Sequence, residues 1–236
     1  MNERLKYRSL LPVYAALLAS VFLIAMAGSR AVTVMTVNAP IEGRKTVIID
    51  AGHGGVDGGA VSCTGVYESK LNLEIAMRLN DLMHLLGINT VMIRETDCSV
   101  YTKGETIAQK KISDLKERVR IVNSTPDAVL ISIHQNHFTD DRYSGAQVFY
   151  AQTDGSQKLA ESLQSAFVQT VNPTSNRRTK KSDGVYLMQH VQCPAALIEC
   201  GFLSNANEEY KLRTKAYQQQ ISAVIACTVS NYLFAT

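Results

Sequence analysis

The sequence predicts one α/β domain, with a mostly parallel, twisted sheet of about six strands and helices on both faces. Three short apolar runs, at residues 46–49, 127–134 and 195–200, have the length and composition of buried strands. Stretches with helical spacing of apolar residues lie between strand-like runs, and this alternation is typical of a parallel sheet covered on both faces. The 236 residues, 46% of them hydrophobic, suffice for one core of that size.

A helix is predicted after the first strand. It begins at Glu68, its apolar residues recur every three or four positions, and Gly87 supplies the stop. Residues 88–94 are strand-like. Residues 95–113 show no helical pattern, and we expect a loop at the rim of an active site, because a loop that long in a compact domain is more often functional than idle.

The remaining elements follow from the same apolar patterns. They are a helix at 114–123, strands at 127–134 and 145–151, a helix at 157–171, a polar and basic loop at 172–184, strands at 185–188 and 195–200, and a closing helix at 208–232. With the strands at 46–49 and 88–94, this order gives six strands.

The first 27 residues are predicted to be an export signal or a membrane anchor. Three basic side chains precede an apolar run at 10–28, slightly short of the roughly 20 residues that a span needs. Ala25-Met26-Ala27 has the spacing of a signal-peptidase site. Cleavage and retention both stay open, and both place the protein outside the cytoplasm, either secreted or anchored to the membrane.

Residues 28–44 are predicted to be a linker between the N-terminal segment and the domain, since they include polar residues together with Pro40 and Gly43. The domain is expected to cover residues 45–236. The N-terminal segment carries three basic and one acidic side chain, so its removal lowers the formal charge from +3 to +1. A nearly neutral domain does not indicate nucleic-acid binding. Five cysteines without CxxC spacing predict neither a disulfide framework nor a cysteine-based zinc site.

A histidine flanked by glycines follows the first strand. The strand would hold His53 at the carboxyl edge of the sheet, where α/β folds keep their chemistry. Gly52, Gly54 and Gly55 leave no side chain beside the imidazole, so a metal and a substrate could approach the backbone. The motif alone is also typical of an ordinary turn, so a functional role for His53 requires other functional side chains at the same edge of the sheet.

Two more apolar strands end in side chains that could act together with His53 in one site. These are His134 and Glu199. Two imidazoles and one carboxylate, with a fourth position left for water, are the ligands of a catalytic zinc ion. A carboxylate after an apolar run is costly to bury unless it is bound or protonated, so Glu199 is predicted to be the general base.

The third metal ligand is not chosen by spacing. Four carboxylates lie near His53 in sequence: Asp50, Asp57, Glu68 and Glu74. Glu68 lies where the loop re-enters regular structure, and its side chain could turn back to the metal. An acid favoured by the dipole at a helix N-terminus is an equally good explanation. The remaining histidines are weaker candidates: His84, His137 and His190.

Several motifs occur in an order that carries a family resemblance. They include Ile49–Ala60, Glu68, Ser132–Asn136, Gly145–Tyr150 and Pro194–Asn205. From Val47 to Tyr232 the sequence resembles the zinc-dependent N-acetylmuramoyl-L-alanine amidases of the amidase 3 family. Its size, its N-terminal segment and its lack of a wall-binding module are most similar to the short, membrane-associated CwlD type of spore-forming bacteria.

The resemblance implies Zn²⁺ as the cofactor, with His53, Glu68 and His134 as its ligands and Glu199 as the catalytic carboxylate. It implies that Asn136 orients a ligand or contacts the substrate. The substrate would be peptidoglycan, cut between N-acetylmuramic acid and L-alanine during maturation of the spore cortex in the forespore envelope. The membrane would be a partner if the N-terminal segment is retained, and an unidentified accessory protein is a further expected partner.

Two other classes stay open at this point. A zinc carboxypeptidase that acts on stem peptides would share the metal site, and a non-catalytic wall-binding protein would not need it. The basic residues at 177–181 could hold the carboxylates of a stem peptide, although a solvated charged loop is the commoner explanation.

Overall fold

A computed structural model of the protein describes residues 45–235. In chain order the elements are β1 (Thr46–Ala51), α1 (Glu68–Leu85), β2 (Thr90–Met92), α2 (Ile107–Asn123), β3 (Ala128–Asn136), β4 (Gln147–Tyr150), α3 (Ser156–Thr170), β5 (Lys180–Lys181), α4 (Tyr186–His190), β6 (Ala195–Phe202), α5 (Ala206–Leu212) and α6 (Lys215–Phe234). The predicted signal or anchor at 1–27 and the linker at 28–44 lie outside the described residues. Of the helices described, none is both long and apolar enough to cross a membrane.

The six strands form one sheet in the order β2-β1-β3-β6-β4-β5. β2, β1, β3 and β6 run parallel, β4 is antiparallel to β6, and β5 is parallel to β4. This confirms the predicted mostly parallel sheet. The three central strands β1, β3 and β6 are the apolar runs that end in His53, His134 and Glu199, and their carboxyl ends therefore meet at one edge.

Helices cover both faces of the sheet, as predicted. On one face α1, α3 and α6 pack over inward residues such as Val47, Ile49 and Ile131, which are fully buried. On the other face α2 and α4 cover Ile48 and Leu130. Because the central strands are buried on both sides, they are continuous apolar runs rather than alternating ones.

Two predictions in the second half of the domain were wrong. Residues 185–188 were predicted as a strand, but Val185 is the N-cap of helix α4 and the other three residues lie within it. A short apolar run does not distinguish a buried strand from a buried helix. The place beside β4 is taken by Lys180–Lys181, within the predicted loop at 172–184. Such a short, exposed edge strand leaves no apolar signal.

Two helix boundaries also differ from the prediction. The loop expected at 95–113 ends at Thr106, which caps α2 by a reciprocal capping box with Gln109. The closing helix is two helices, α5 and α6, because Thr214 adopts extended backbone and its side chain accepts a hydrogen bond from the Tyr217 N–H.

Candidate metal centre

Three side chains from separate elements meet at the carboxyl edge of the sheet. His53 Nε2 lies 3.2 Å from Glu68 Oε2, and His134 Nδ1 lies 2.9 Å from Glu68 Oε1. The two imidazole rings meet edge to face, with their centroids 5.0 Å apart. One donor atom from each of the three residues lies within 4.8 Å of the other two, so the group could hold a metal ion. Two imidazoles and a carboxylate are the donor set of catalytic zinc.

Glycines make room for these side chains. A Cβ atom on Gly52 would lie 2.2 Å from Nε2 and Cε1 of His134. On Gly59 it would lie 2.6 Å from Glu68 Oε2 and 2.7 Å from His53 Cδ2. His53 itself has a φ of 60°, a left-handed conformation that is uncommon outside glycine and that often marks functional sites.

Glu68 begins α1 and is almost fully buried. Its carboxylate accepts hydrogen bonds from the backbone N–H groups of Ala60 (3.0 Å) and Gln135 (3.1 Å) and from Asn72 Nδ2 (3.2 Å). Burial alone would raise its pKa, but the bonds to His134 and His53 hold the pKa of Glu68 far below its usual range. The group is therefore a carboxylate at any ordinary pH.

His53 is held from its other side by Asp57. Its Nδ1 lies 2.9 Å from Asp57 Oδ2, and Lys111 Nζ lies 3.0 Å from Asp57 Oδ1. Burial alone would lower the pKa of His53, but Glu68 and Asp57 together raise it to about 9. A carboxylate on the second imidazole nitrogen is the usual way to orient a histidine ligand.

Glu199 lies beside the group on β6, where its Cα pairs in register with that of His134. Its Oε2 is buried and has no hydrogen-bond partner among the residues described. Burial raises the pKa of Glu199 to about 7, and the nearby Glu68 carboxylate adds to the rise while His134 opposes it. Both its protonated and ionised forms are therefore populated near neutral pH.

Two arginines, which were not predicted as site residues, donate hydrogen bonds to backbone carbonyls at the end of β1 and in the loop that carries His53 (the His53 loop). Arg118 is buried against Asp50, and its Nη2 donates to the His53 carbonyl at 2.7 Å. Arg94 donates to the carbonyls of Ala51 (2.8 Å) and Gly52 (3.0 Å). A signal for Arg118 was present, because it falls on the same side of its helix as the inward Leu115 and Val122.

The loop before α2 contacts the His53 loop, as its predicted rim position requires. Asp97 Oδ1 accepts from the Gly55 N–H at 3.0 Å, and Ser99 Oγ donates to the Gly54 carbonyl at 2.7 Å. A cleft of about 280 Å³ opens beside the centre, and His53, His134, Lys111 and Tyr186 are among its lining residues. The cleft gives a substrate access to the two imidazoles.

The other candidates have different environments. Asp50 pairs with Arg118, Asp57 with His53 and Lys111, and Glu74 with Gln218. His84 contacts Thr90, and His190 stacks on Tyr186 with ring centroids 4.0 Å apart. His137 is exposed one residue beyond β3. Asn136 ends β3 opposite Phe202 and makes no side-chain hydrogen bond within residues 45–235, so its role stays a prediction.

An α/β sheet that carries two histidines and a carboxylate at its carboxyl edge, in a group that could hold a metal ion beside a glutamate of raised pKa, is typical of a hydrolase. The sequence profile of the N-acetylmuramoyl-L-alanine amidase family, amidase 3, matches residues 47–231. The chain belongs to this family, and the predicted fold and amidase activity are confirmed.

Relatives of known identity cover most of the chain. The germination-specific N-acetylmuramoyl-L-alanine amidase of Bacillus subtilis is 36% identical over 195 residues, 82% of this chain and 81% of that protein. The CwlD amidase of Clostridioides difficile, solved in complex with the GerS lipoprotein, has a TM-score of 0.78 at 36% identity and covers 82% of this chain and 100% of its own. An N-acetylmuramoyl-L-alanine amidase of Clostridium difficile 630 has a TM-score of 0.71 at 34% identity and covers 82% of this chain and 98% of its own.

Proposed function

We propose that the chain uses one zinc ion, held by His53, Glu68 and His134, to hydrolyse the amide between N-acetylmuramic acid and L-alanine in peptidoglycan. The observation that carries the proposal is the convergence of these three side chains within 4.8 Å. The carboxypeptidase and wall-binding alternatives find no support in the family match, which is to amidases.

The donor set and its surroundings fit zinc. His53, Glu68 and His134 would supply the three protein ligands that catalytic zinc sites have, and the remaining ligand of such sites is water or substrate. The buried, unpartnered Oε2 of Glu199 is costly in a protein without a ligand, and a polar group in the site would satisfy it. When bound, zinc lowers the pKa of a water molecule to about 7 and polarises the scissile carbonyl.

Glu199 would move the proton. With a pKa of about 7, it can accept a proton from the attacking water and then donate that proton to the departing amine of L-alanine. Asp57 keeps the imidazole of His53 oriented, and the backbone N–H of Gln135 holds the Glu68 carboxylate in place. Asn136, at the end of β3, would contact the substrate or orient a ligand.

The biological setting is proposed from the relatives. One is named a germination-specific amidase, and another was solved with a lipoprotein. We place the activity outside the cytoplasm, in the spore cortex of the forespore envelope, with a lipoprotein as accessory partner. Residues 1–27 would serve as a signal or an anchor, 28–44 as a linker, and 45–236 as the catalytic domain.

The test is to incubate residues 28–236 with purified peptidoglycan and zinc, and to read the released fragments by mass. An amidase releases intact stem peptides from the glycan, whereas a carboxypeptidase releases single amino acids. Chelation should abolish release, and Glu199→Gln should keep zinc and lose hydrolysis by roughly 10²- to 10⁴-fold. Near-normal turnover in that variant would remove Glu199 from its role, and sacculus binding without hydrolysis would favour a wall-binding protein.

A further inference from the structure

A second and larger cavity, of about 830 Å³, lies between the start of β4, residues 171–180 and the start of α5. We call it the basic cavity, because five of its lining residues are basic and one is acidic. These are Arg142, Arg177, Arg178, Lys180, Lys211 and Glu208.

The one carboxylate, that of Glu208, cannot balance the charge of five basic side chains. Glu208 is buried, and its two oxygens accept hydrogen bonds from the N–H groups of Gly145 and Phe202, each at 2.9 Å. Burial raises the pKa of Glu208, while these two hydrogen bonds oppose the rise. Arg142 pairs with Asp140, which is not a lining residue, so four other basic side chains against one carboxylate leave the cavity with an excess of positive charge.

The hydrogen-bond acceptors that fix Arg177 are neutral, and the Glu208 carboxylate is near enough to interact with its charge. Arg177 Nε donates to the Ser144 carbonyl at 2.8 Å and its Nη1 to Gln147 Oε1 at 3.3 Å, and the guanidinium lies 4.7 Å from the ring centre of Phe202. Within residues 45–235, neither Arg177 nor the neighbouring Arg178 and Lys180 forms an ion pair. A fixed guanidinium with unused donors is suited to a carboxylate.

The basic cavity begins one strand away from Glu199. Gln147 pairs in register with Glu199 across the β4–β6 ladder, and neighbouring strands lie about 4.8 Å apart. The side chain of Gln147 in turn contacts Arg177. An extended peptide advances about 3.3 Å per residue, so a chain that leaves the catalytic edge across β4 reaches the cavity within two or three residues.

We propose that the basic cavity binds the stem peptide, with Arg177, Arg178 and Lys180 holding the free carboxylates of the residues that follow L-alanine. The proposal deepens the proposed function and rests on it, because it assigns the peptide side of the substrate to the β4 side of the catalytic edge. The basic stretch at 177–181 is then a specificity element and not only a solvated loop.

The test compares two stem tripeptides, one with a free and one with an amidated carboxylate on its second residue. Their binding to the full-length, zinc-loaded protein is measured by calorimetry, and hydrolysis of the matching muramoyl tripeptides is measured in parallel. Amidation should weaken binding to the wild-type protein about tenfold and raise KM by a similar factor, with kcat unchanged, since one charge-assisted bond is lost.

Two variants locate the effect. Arg178→Gln combined with Lys180→Gln changes only exposed side chains, and Arg177→Lys keeps the charge but loses the planar fork. Both should bind the free-carboxylate peptide about 3- to 10-fold more weakly and should discriminate less between the two peptides. Arg120→Gln, an exposed arginine on α2 paired with Glu117, is the matched control and should behave like wild type.

Equal affinity of the wild-type protein for the free and the amidated peptide would overturn the proposal. The proposal would also be overturned if the variants lost affinity equally for both peptides. It would fail as well if they bound a peptide-free disaccharide more weakly and both peptides as wild type does. Charge-dependent peptide binding without hydrolysis would instead contradict the proposed function and support the basic cavity, so the two failures are distinguishable.

Discussion

Gly52→Ala tests whether the metal centre depends on the close approach of the His134 imidazole to Gly52 in the His53 loop. The new Cβ would lie 2.2 Å from two atoms of the imidazole and 2.7 Å from a third. Unstrained carbon contacts are about 3.5 Å or longer, so the ring must move by more than about 1 Å. Metal–ligand distances tolerate only about 0.2 Å.

We therefore expect zinc affinity to fall by at least about 100-fold, because one of three ligands is displaced. Overpacking should also cost about 1–3 kcal/mol of the free energy of unfolding of the metal-free protein. Chelator competition measures the first effect, and urea unfolding measures the second. The effect is steric, because Gly52 is not among the glycines with left-handed φ.

Gly184→Ala is the matched control. Gly184 has no left-handed φ, and apart from its chain neighbours no atom of residues 45–235 lies within 4 Å of its added Cβ, so zinc affinity should stay within about twofold of wild type. Wild-type zinc affinity in Gly52→Ala would refute the reasoning, since the imidazole would then not occupy the position that we describe.

Three further predictions concern the groups around the centre. Asp57→Asn should lower zinc affinity about 10- to 100-fold, because the second nitrogen of His53 loses its carboxylate; equal affinity in chelator competition would contradict this. Zinc affinity should rise with pH up to about 9, because His53 with its raised pKa is protonated below that value and a proton competes with the metal. Calorimetry at neutral pH in buffers of different ionisation enthalpy should accordingly detect proton release, and zinc uptake without it would count against a protonated His53. Arg118→Met should destabilise the fold by about 3–5 kcal/mol in urea unfolding, because it leaves Asp50 buried without its partner; a loss below about 1 kcal/mol would show that the pair is dispensable.

The three central strands could be predicted because each is recognisable from its own apolar composition. β1, β3 and β6 are buried on both faces, so each is a continuous apolar run, and the polar residue after or near its end stands out in the sequence. The positions of His53, His134 and Glu199 follow from that pattern together with the parallel order of the strands.

The third metal ligand and its hydrogen-bond partners could not be predicted from the apolar pattern, because they depend on contacts between residues that are distant in sequence. Spacing did not select Glu68, since its approach to the histidines depends on the fold of the loop before α1, and only the family resemblance singled it out. Asn72 and Gln135 look like ordinary helix and strand residues until Asn72 is seen to donate to Glu68 and accept from Gln135. The start of α2 was missed because Ile107 and Ile112 are exposed, so its first turns have no apolar stripe.

Zinc K-edge absorption and anomalous scattering from the metal-loaded protein test the central claim most directly. We predict one ion per chain, bound at about 2.0–2.2 Å by nitrogens of His53 and His134 and by an oxygen of Glu68. An ion that binds elsewhere, or one that lacks either imidazole, would contradict the assignment of these three residues as the metal site.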